Sequence, residues 1–344
     1  MPATALFMIM LGIVFGTMTV ITANHWLTAW LGLELNMISV LPMITKQKHP
    51  RSTEAATKYF LIQATASSIM LLSSTLNAWK TGTWEITQLN DKLSCILMIS
   101  ALTMKMGAAP LHFWLPEVMQ GTTLNTALLI TTWQKIAPIT LLYMISNHSQ
   151  MEFTLLIGTL SILIGGWGGI NQTQLRKMMA YSSVAHLGWT MAVISIAPNT
   201  ALLNIIIYMI ISTPMFLLLM NAPTKTLQAT TTIWSFSPTT AILLTLLLLS
   251  MAALPPLAGF TPKLLIMDKL ILHKLAPTTT VLALSSLLSL VFYLRMTYLM
   301  GSTIPPTTTQ STTLWRLKPN HNQLTTMLTP LALFNITIMP ALMM

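Results

Sequence analysis

The chain has 344 residues, of which 17 are Lys or Arg and 7 are Asp or Glu, so charged side chains make up 7% of it, against about 25% in an average soluble domain. Apolar residues reach 53% and the mean hydropathy is +0.69, which leaves too little polar surface for a water-exposed globule and excludes a soluble enzyme or a disordered tail. The net charge of +10 is spread along the chain and not gathered into the stripe that nucleic acid requires.

A bilayer-spanning helix needs about 20 mainly apolar residues. In chain order the sequence offers eleven such spans, at 3–22, 25–45, 59–79, 93–115, 124–146, 153–171, 178–197, 200–221, 238–260, 276–299 and 324–344. A short segment, 263–273, reads as the second half of the broken ninth span. Two polar, Thr/Pro-rich stretches, 222–237 and 301–322, read as surface loops. The expected fold is therefore an all-α, polytopic membrane protein forming a single integral membrane domain over 1–344. The first basic residue is Lys46, so neither a secretory signal nor an Arg-rich presequence is expected at the N-terminus. The one cysteine, Cys95, cannot build a disulfide, a four-cysteine zinc site or an iron–sulfur cluster within the chain.

The loops orient the bundle. On the side of the N-terminus, side A, eleven crossings place nine basic residues: Lys46, Lys48, Arg51, Lys58, Arg176, Lys177, Lys225, Arg316 and Lys318. The opposite side B receives Lys80, Lys92 and Lys274. The positive-inside rule assigns side A to the cytoplasm or matrix.

The spans also hide a repeat. Gly107 and Pro110 interrupt the fourth, while Pro255, Pro256, Gly259 and Pro262 interrupt the ninth. These breaks, at about 105–112 and 255–263, fall five spans apart. That spacing divides the chain into one five-helix unit over 1–146, a second over 150–300 and a C-terminal helix over 324–344. An odd number of helices per unit forces the second to be inverted, and paired broken helices in inverted units point to a transport site near the midplane. Gly and Pro are also simply common in membrane helices.

Five ionisable side chains sit too deep to reach water by snorkelling. Glu34 is tenth of 21 residues in its span, Lys105 thirteenth of 23, Lys135 twelfth of the 22 between Leu124 and Ile145 and His186 ninth of 20, and Lys263 adjoins the second break. Glu34 and His186 occupy equivalent helices of the two units, and Lys105 and Lys263 lie beside the two breaks. The units are not copies: the fifth helix carries Lys135, the tenth only Arg295 near its inner end. A lysine–carboxylate pair at about 4 Å and an effective dielectric of about 20 is worth roughly 4 kcal/mol, so making and breaking it can load and release a proton. The cost of moving a charge against 100 mV is about 2.3 kcal/mol. A broken helix adds free backbone groups and room for water. The chemistry that fits is a proton relay. The plainer reading is that a buried Lys–Glu pair fixes helix register. His112 adjoins the first break, although His112-Phe113-Trp114 also reads as an interfacial aromatic cluster.

Other patterns carry less. Gly165-Gly166-Trp167-Gly168-Gly169 follows no strand and suits close helix packing, not phosphate binding. No metal-ligand pairing and no nucleophile–base pattern stands out.

A set of ordered segments carries a family resemblance. They are Asn24-His25-Trp26 through Glu34 and Asn36; Pro50-Arg51 with Glu54-Ala55 and Lys58-Tyr59-Phe60; and Met104-Lys105-Met106-Gly107 with Pro110 through Glu117. Trp133-Gln134-Lys135, the Gly165–Lys177 stretch, His186-Leu187-Gly188-Trp189 and Leu254 through Lys263 complete the set. Together they resemble the antiporter-like subunits of the membrane arm of respiratory complex I, the mitochondrial NADH–ubiquinone oxidoreductase. The 27 methionines suit an animal mitochondrial genome. The resemblance implies a core subunit of an H+-translocating NADH:ubiquinone reductase in the mitochondrial inner membrane, its N-terminus on the matrix side and its C-terminus on the intermembrane-space side. It implies pumping coupled to quinone reduction elsewhere in the complex. It assigns Glu34 as acidic partner, Lys105 as the lysine it modulates, Lys135 as relay lysine and Lys263 as the lysine of the second broken helix, with His112 and His186 as connecting groups. It further implies that NADH, FMN, iron–sulfur clusters and ubiquinone are bound by other subunits and that no cofactor or metal is bound here. The expected partners are antiporter-like neighbours, small membrane subunits, accessory subunits and lipids, with no nucleic acid. Two other readings stay open on the residues alone: a stand-alone sodium/proton antiporter, for which Glu34 is the only intramembrane carboxylate, and a structural scaffold.

Overall fold

A computed structural model describes residues 3–221, 224–302 and 323–333. It is helical throughout these residues, with two isolated β-bridges between loops. The helices are α1 (Ala3–Ile21), α2 (Trp26–Ile44), α3 (Pro50–Thr81), α4 (Lys92–Met106), α5 (Trp114–Gly121), α6 (Leu124–Thr131), α7 (Trp133–Ile145), α8 (Met151–Ile170), α9 (Leu175–Val193), α10 (Pro198–Asn221), α11 (Ile233–Phe236), α12 (Pro238–Met251), α13 (Phe260–Leu272), α14 (Ala276–Ser302) and α15 (Gln323–Leu333).

Among the described residues, seven helical stretches are long and apolar enough to cross a membrane: Ala3–Ile21, Trp26–Gln47, Pro50–Thr81, Leu124–His148, Met151–Ile170, Pro198–Asn221 and Ala276–Ser302. The other expected spans differ for three reasons. Those at 93–115 and 238–260 are each cut in two by the expected breaks. The span at 178–197 is α9, whose first turn carries Arg176 and Lys177 and most of whose side chains are buried by neighbouring helices. Of the span at 324–344, only residues up to Leu333 lie within the described set. Within the expected loop at 222–237, a 3₁₀ turn (Gln228–Thr232) and α11 form. The remainder of the 301–322 loop lies outside the described residues.

The outer surface is apolar. Phe7, Phe15, Trp79, Trp167 and Tyr298 all stand exposed. In water they would have to be covered; against hydrocarbon or a neighbouring subunit they need not be. Inside, small residues let backbones approach. A Cβ on Gly165 would stand 2.7 Å from the Ala185 nitrogen, and one on Gly166 2.7 Å from Leu288 Cβ. One on Gly169 would meet the Phe292 ring. The glycine run thus admits α9 on one side and α14 on the other while Trp167 points outward, which is the close packing its composition suggested.

The chain reversals fall at two ends. At one, Trp26 N–H donates to Trp84 O at 3.1 Å, and Lys80 pairs with Asp91 at 2.8 Å. At the other, Leu175 N–H donates to Lys225 O at 3.3 Å and Arg176 donates to Thr122 O. Lys58 there bridges Glu54 (2.8 Å) and Glu117 (2.6 Å), tying α5 to α3. Arg51, Lys58, Arg176, Lys177 and Lys225 share this basic end, in keeping with the loop count.

Candidate functional site: a buried lysine chain at the helix breaks

The first break is built by glycine. α4 ends at Met106, and Gly107 takes a left-handed conformation (φ 81°), which costs a residue without a Cβ nothing. Gly107 N–H donates to Thr103 O at 2.9 Å and Ala108 N–H to the same oxygen at 3.0 Å, closing the helix end. The carbonyls of the last turn find side-chain donors: Trp114 Nε1 at 3.1 Å from Met104 O and Gln63 Nε2 at 3.2 Å from Lys105 O. Lys105 is the next-to-last residue of α4 and is buried.

Lys105 shares a small internal cavity, of about 20 Å³, with Lys135. Asn36, Tyr59, Gln63 and Gln134 supply its polar lining. Its volume suffices for about one water. Across it Gln134 Nε2 donates to Asn36 Oδ1 at 2.8 Å, linking α7 to α2. Glu34 lies two residues before Asn36 on α2, about half a turn away. It is half-buried, and its Oε1 is buried without a hydrogen-bond partner. Its charge acts on Lys105 and Tyr59, yet no ion pair joins Glu34 to Lys105 among the described residues. The close pair considered from the sequence is therefore an interaction across a gap.

Lys135 sits beside a third break that the sequence reading did not contain. The span at 124–146 is interrupted at Thr132 (φ −111°, ψ −75°), between α6 and α7. Neither Gly nor Pro makes it. Thr131 and Thr132 hydroxyls donate to the carbonyls of Ala127 (3.0 Å) and Leu128 (2.7 Å), a back-bonding that bends helices. The ladder resumes only as Lys135 N–H reaches Thr132 O at 3.2 Å. Lys135 Nζ is buried with no hydrogen-bond partner and stands 4.9 Å from the centroid of the Tyr208 ring on α10.

From Tyr208 the chain continues. The His186 ring on α9 lies 4.9 Å from the Tyr208 ring and beside the carbonyl of Met251, the last residue of α12. His186 thus reads the second break directly, and the charges of both Lys135 and Lys263 reach it. The second break spans 252–259. Gly259 serves it by close approach, since a Cβ there would run into the carbonyl oxygen of Ser250. Lys263, the fourth residue of α13, is buried with Nζ 5.7 Å from the Trp189 ring, one turn along α9 from His186.

His112 does not join this chain. It is buried in the first break, its Nδ1 3.2 Å from Pro110 O and its ring 4.3 Å from Phe113 and 6.3 Å from Tyr181. Gln63, Gln134 and Tyr208 were not legible as site residues because only side chains charged near neutral pH, and histidine, stand out by depth. Gln134, at mid-span beside Lys135, was open to a search for any polar side chain at that depth. Among the described residues, no group of three or more His, Cys, Asp or Glu could hold a metal ion.

The membrane-domain family described as NADH:quinone oxidoreductase/Mrp antiporter matches residues 23–309. The NADH-ubiquinone oxidoreductase chain 2 of Varanus baritji is 50% identical over 337 residues, covering 98% of each chain. In fold, the chain is similar to one in respiratory complex I from Thermus thermophilus (TM-score 0.84, 23% identity, 98% of this chain and 79% of that one). A chain of the Mrp complex from Dietzia is nearly as similar (TM-score 0.79, 18% identity, 92% of this chain and 64% of that one). Fold alone thus fails to separate a respiratory subunit from an antiporter; near-full-length identity of about half does. The chain belongs to the NADH:quinone oxidoreductase/Mrp antiporter family and, within it, to the chain 2 group of proton-translocating membrane subunits of complex I.

Proposed function

We propose that this subunit moves protons along Glu34, Lys105, Lys135, His186 and Lys263, in that spatial order. The observation that carries the reading is that Lys105 and Lys135, two buried lysines on different helices, open onto one water-sized cavity lined by amides. Burying an ammonium without a partner is costly. A scaffold would place leucine at these positions. A relay needs side chains that gain and lose protons, with a carboxylate near enough to bias the balance and too far to lock it. Glu34 stands in that relation to Lys105. Lys135 passes charge to His186 across the face of Tyr208, and His186 hands it to Lys263 beside the second break. His112, set apart, serves as a connecting group only if the first break moves.

The excess of basic residues at the side A end, nine against three, supports a matrix-side N-terminus and an inner-membrane location. The spacing of the two breaks supports inverted five-helix units over 1–146 and 150–300, with the C-terminal helix appended. The coupling energy comes from quinone reduction outside this chain. NADH, FMN, iron–sulfur clusters and ubiquinone stay with other subunits, and the exposed apolar faces receive antiporter-like neighbours, small and accessory subunits and lipids.

The test is Lys105→Ala in assembled complex I reconstituted into liposomes. NADH-driven proton translocation should fall by at least about tenfold, equivalent to about 1.4 kcal/mol on the limiting barrier, while the complex still assembles on native gels. Full pumping by the assembled variant overturns the role of Lys105.

A further inference from the structure

We propose that Tyr208 and Tyr293, with Ser182 and Ser183, form a hydroxyl branch carrying protons between the Lys135–His186 centre and the basic end of the bundle. The inference rests on the relay reading above and adds its route of entry. Three polar atoms on three helices are buried without a hydrogen-bond partner of normal geometry: Lys135 Nζ on α7, the Tyr208 hydroxyl on α10 and the Tyr293 hydroxyl on α14. A core packed only for stability would carry phenylalanine at both tyrosines, because a buried hydroxyl left unsatisfied is a net cost.

The hydroxyls are not scattered. Ser183 stands beside the Tyr208 hydroxyl and Ser182 beside that of Tyr293, off ideal hydrogen-bond geometry, and the two tyrosines also interact with each other. Both serines are fully buried. Each already donates its proton to its own helix, Ser182 to Met179 O at 2.7 Å and Ser183 to Ala180 O at 2.8 Å. Their lone pairs are left to accept.

Depth gives the branch a direction. With a rise of 1.5 Å per residue, His186 lies about 16 Å from the start of α9, Ser182 about 10 Å from it, and Tyr293 about 13 Å from the end of α14. Arg176 and Lys177 mark that end of α9. Tyr208 is near the middle of α10. The path therefore climbs from mid-depth toward the basic side. A hydroxyl both donates and accepts. As the O–H bond of one tyrosine breaks toward the oxygen ahead, its oxygen takes a proton from the group behind; a serine oxygen that accepts a proton swings its own hydrogen away from the helix carbonyl and passes it to the next oxygen or water of the branch, so no net charge is stranded in the bundle.

The experiment compares Tyr208→Phe, Tyr293→Phe, Ser182→Ala and Lys135→Ala in assembled complex I in liposomes, with the pH on the basic side varied. Tyr→Phe keeps the ring, including the face presented to Lys135. A branch predicts that Tyr293→Phe and Tyr208→Phe slow NADH-driven translocation by at least about threefold at about pH 8, with the deficit narrowing toward about pH 6.5 as proton supply rises. A packing defect would not narrow. If the tyrosine variants fail to assemble, Ser182→Ala, which leaves the rings in place, must show the same pH-dependent deficit. Wild-type rates and an unchanged pH profile in the variants that assemble overturn the branch. Normal pumping by Lys135→Ala overturns the relay itself, whereas impaired Lys135→Ala beside normal tyrosine and serine variants overturns the branch alone.

Discussion

Lys105 and Lys263 occupy opposite ends of broken helices. Lys105 is the next-to-last residue of α4, at the negative end of that helix's dipole; Lys263 is the fourth residue of α13, at the positive end. A dipole end is worth up to about 1–2 kcal/mol when partly buried, so the first break attracts an ammonium and the second repels one. Their surroundings differ in the same sense. Lys105 has the field of Glu34, an amide-lined cavity and Gln63 on its own carbonyl. Lys263 has the Trp189 ring and, through its charge, His186. Two stretches that look like repeats in sequence therefore make two different surroundings for a buried lysine, and on the relay proposed above they would favour the protonated form unequally. Pumping needs that asymmetry, because identical sites would share a proton without moving it in a direction.

The comparison breaks most sharply at the two glycines. Gly259→Ala drives a Cβ into the Ser250 carbonyl oxygen, which is backbone and cannot step aside, so the second break should not form and assembly on native gels should be lost. Gly107→Ala meets side chains alone, the flexible Leu115 Cδ1 at 2.8 Å and the Trp114 ring at 3.3 Å, plus the strain of a positive φ; strain of this kind costs about 1–3 kcal/mol. The assembled complex should survive with a lower melting temperature. Equal damage from both would mean that the breaks are held alike.

Glu34→Gln comes next. It removes the charge acting on Lys105 and touches nothing at Lys263, so translocation should fall about fivefold, roughly 1 kcal/mol on the barrier. An unchanged rate would place the asymmetry elsewhere. A smaller effect is expected from Gln134→Leu, which severs the 2.8 Å bond to Asn36 and makes the cavity less polar. About a twofold loss of rate, with assembly intact, would show that the amides tune proton transfer without carrying it.

The smallest effect lies outside the membrane. A hydrogen bond from Lys80, helped by the Ser94 N–H and by charge attraction, holds the Asp91 carboxyl below its usual range. A carboxylate lowered on folding stabilises the fold above its unfolded value, about 3.9, and loses that contribution as pH falls through the folded value. Asp91→Asn should therefore lower thermal stability slightly at neutral pH and match the native protein at strongly acidic pH. A difference that persists in acid would mean that Asp91 acts through its helix-capping geometry and not its charge.

Much of the fold was legible because a bilayer enforces simple rules. Apolar runs of bilayer length announced most helices, and Gly107, Pro110, Pro255 and Gly259 announced two breaks because those residues cannot continue a helix without cost. The break at Thr132 was not legible in this way. It is made by threonine hydroxyls bonding to carbonyls one turn back, and threonine is unremarkable in a chain this rich in it. The charged members of the site were legible from depth alone, since few forces other than function keep a lysine in lipid.

Sequence by itself determined the class of molecule, the basic end of the bundle and the identity of the buried charges, because each follows from counting residues against a known membrane thickness. Only the tertiary structure decided which of them meet. It opened Lys105 and Lys135 onto one cavity, inserted Tyr208 between Lys135 and His186, set His186 beside the Met251 carbonyl and left His112 to one side. These outcomes depend on how helices distant in sequence rotate and pack. Small residues such as Gly165 and Gly166 set that packing through close backbone contact, and no periodicity within a single helix encodes it.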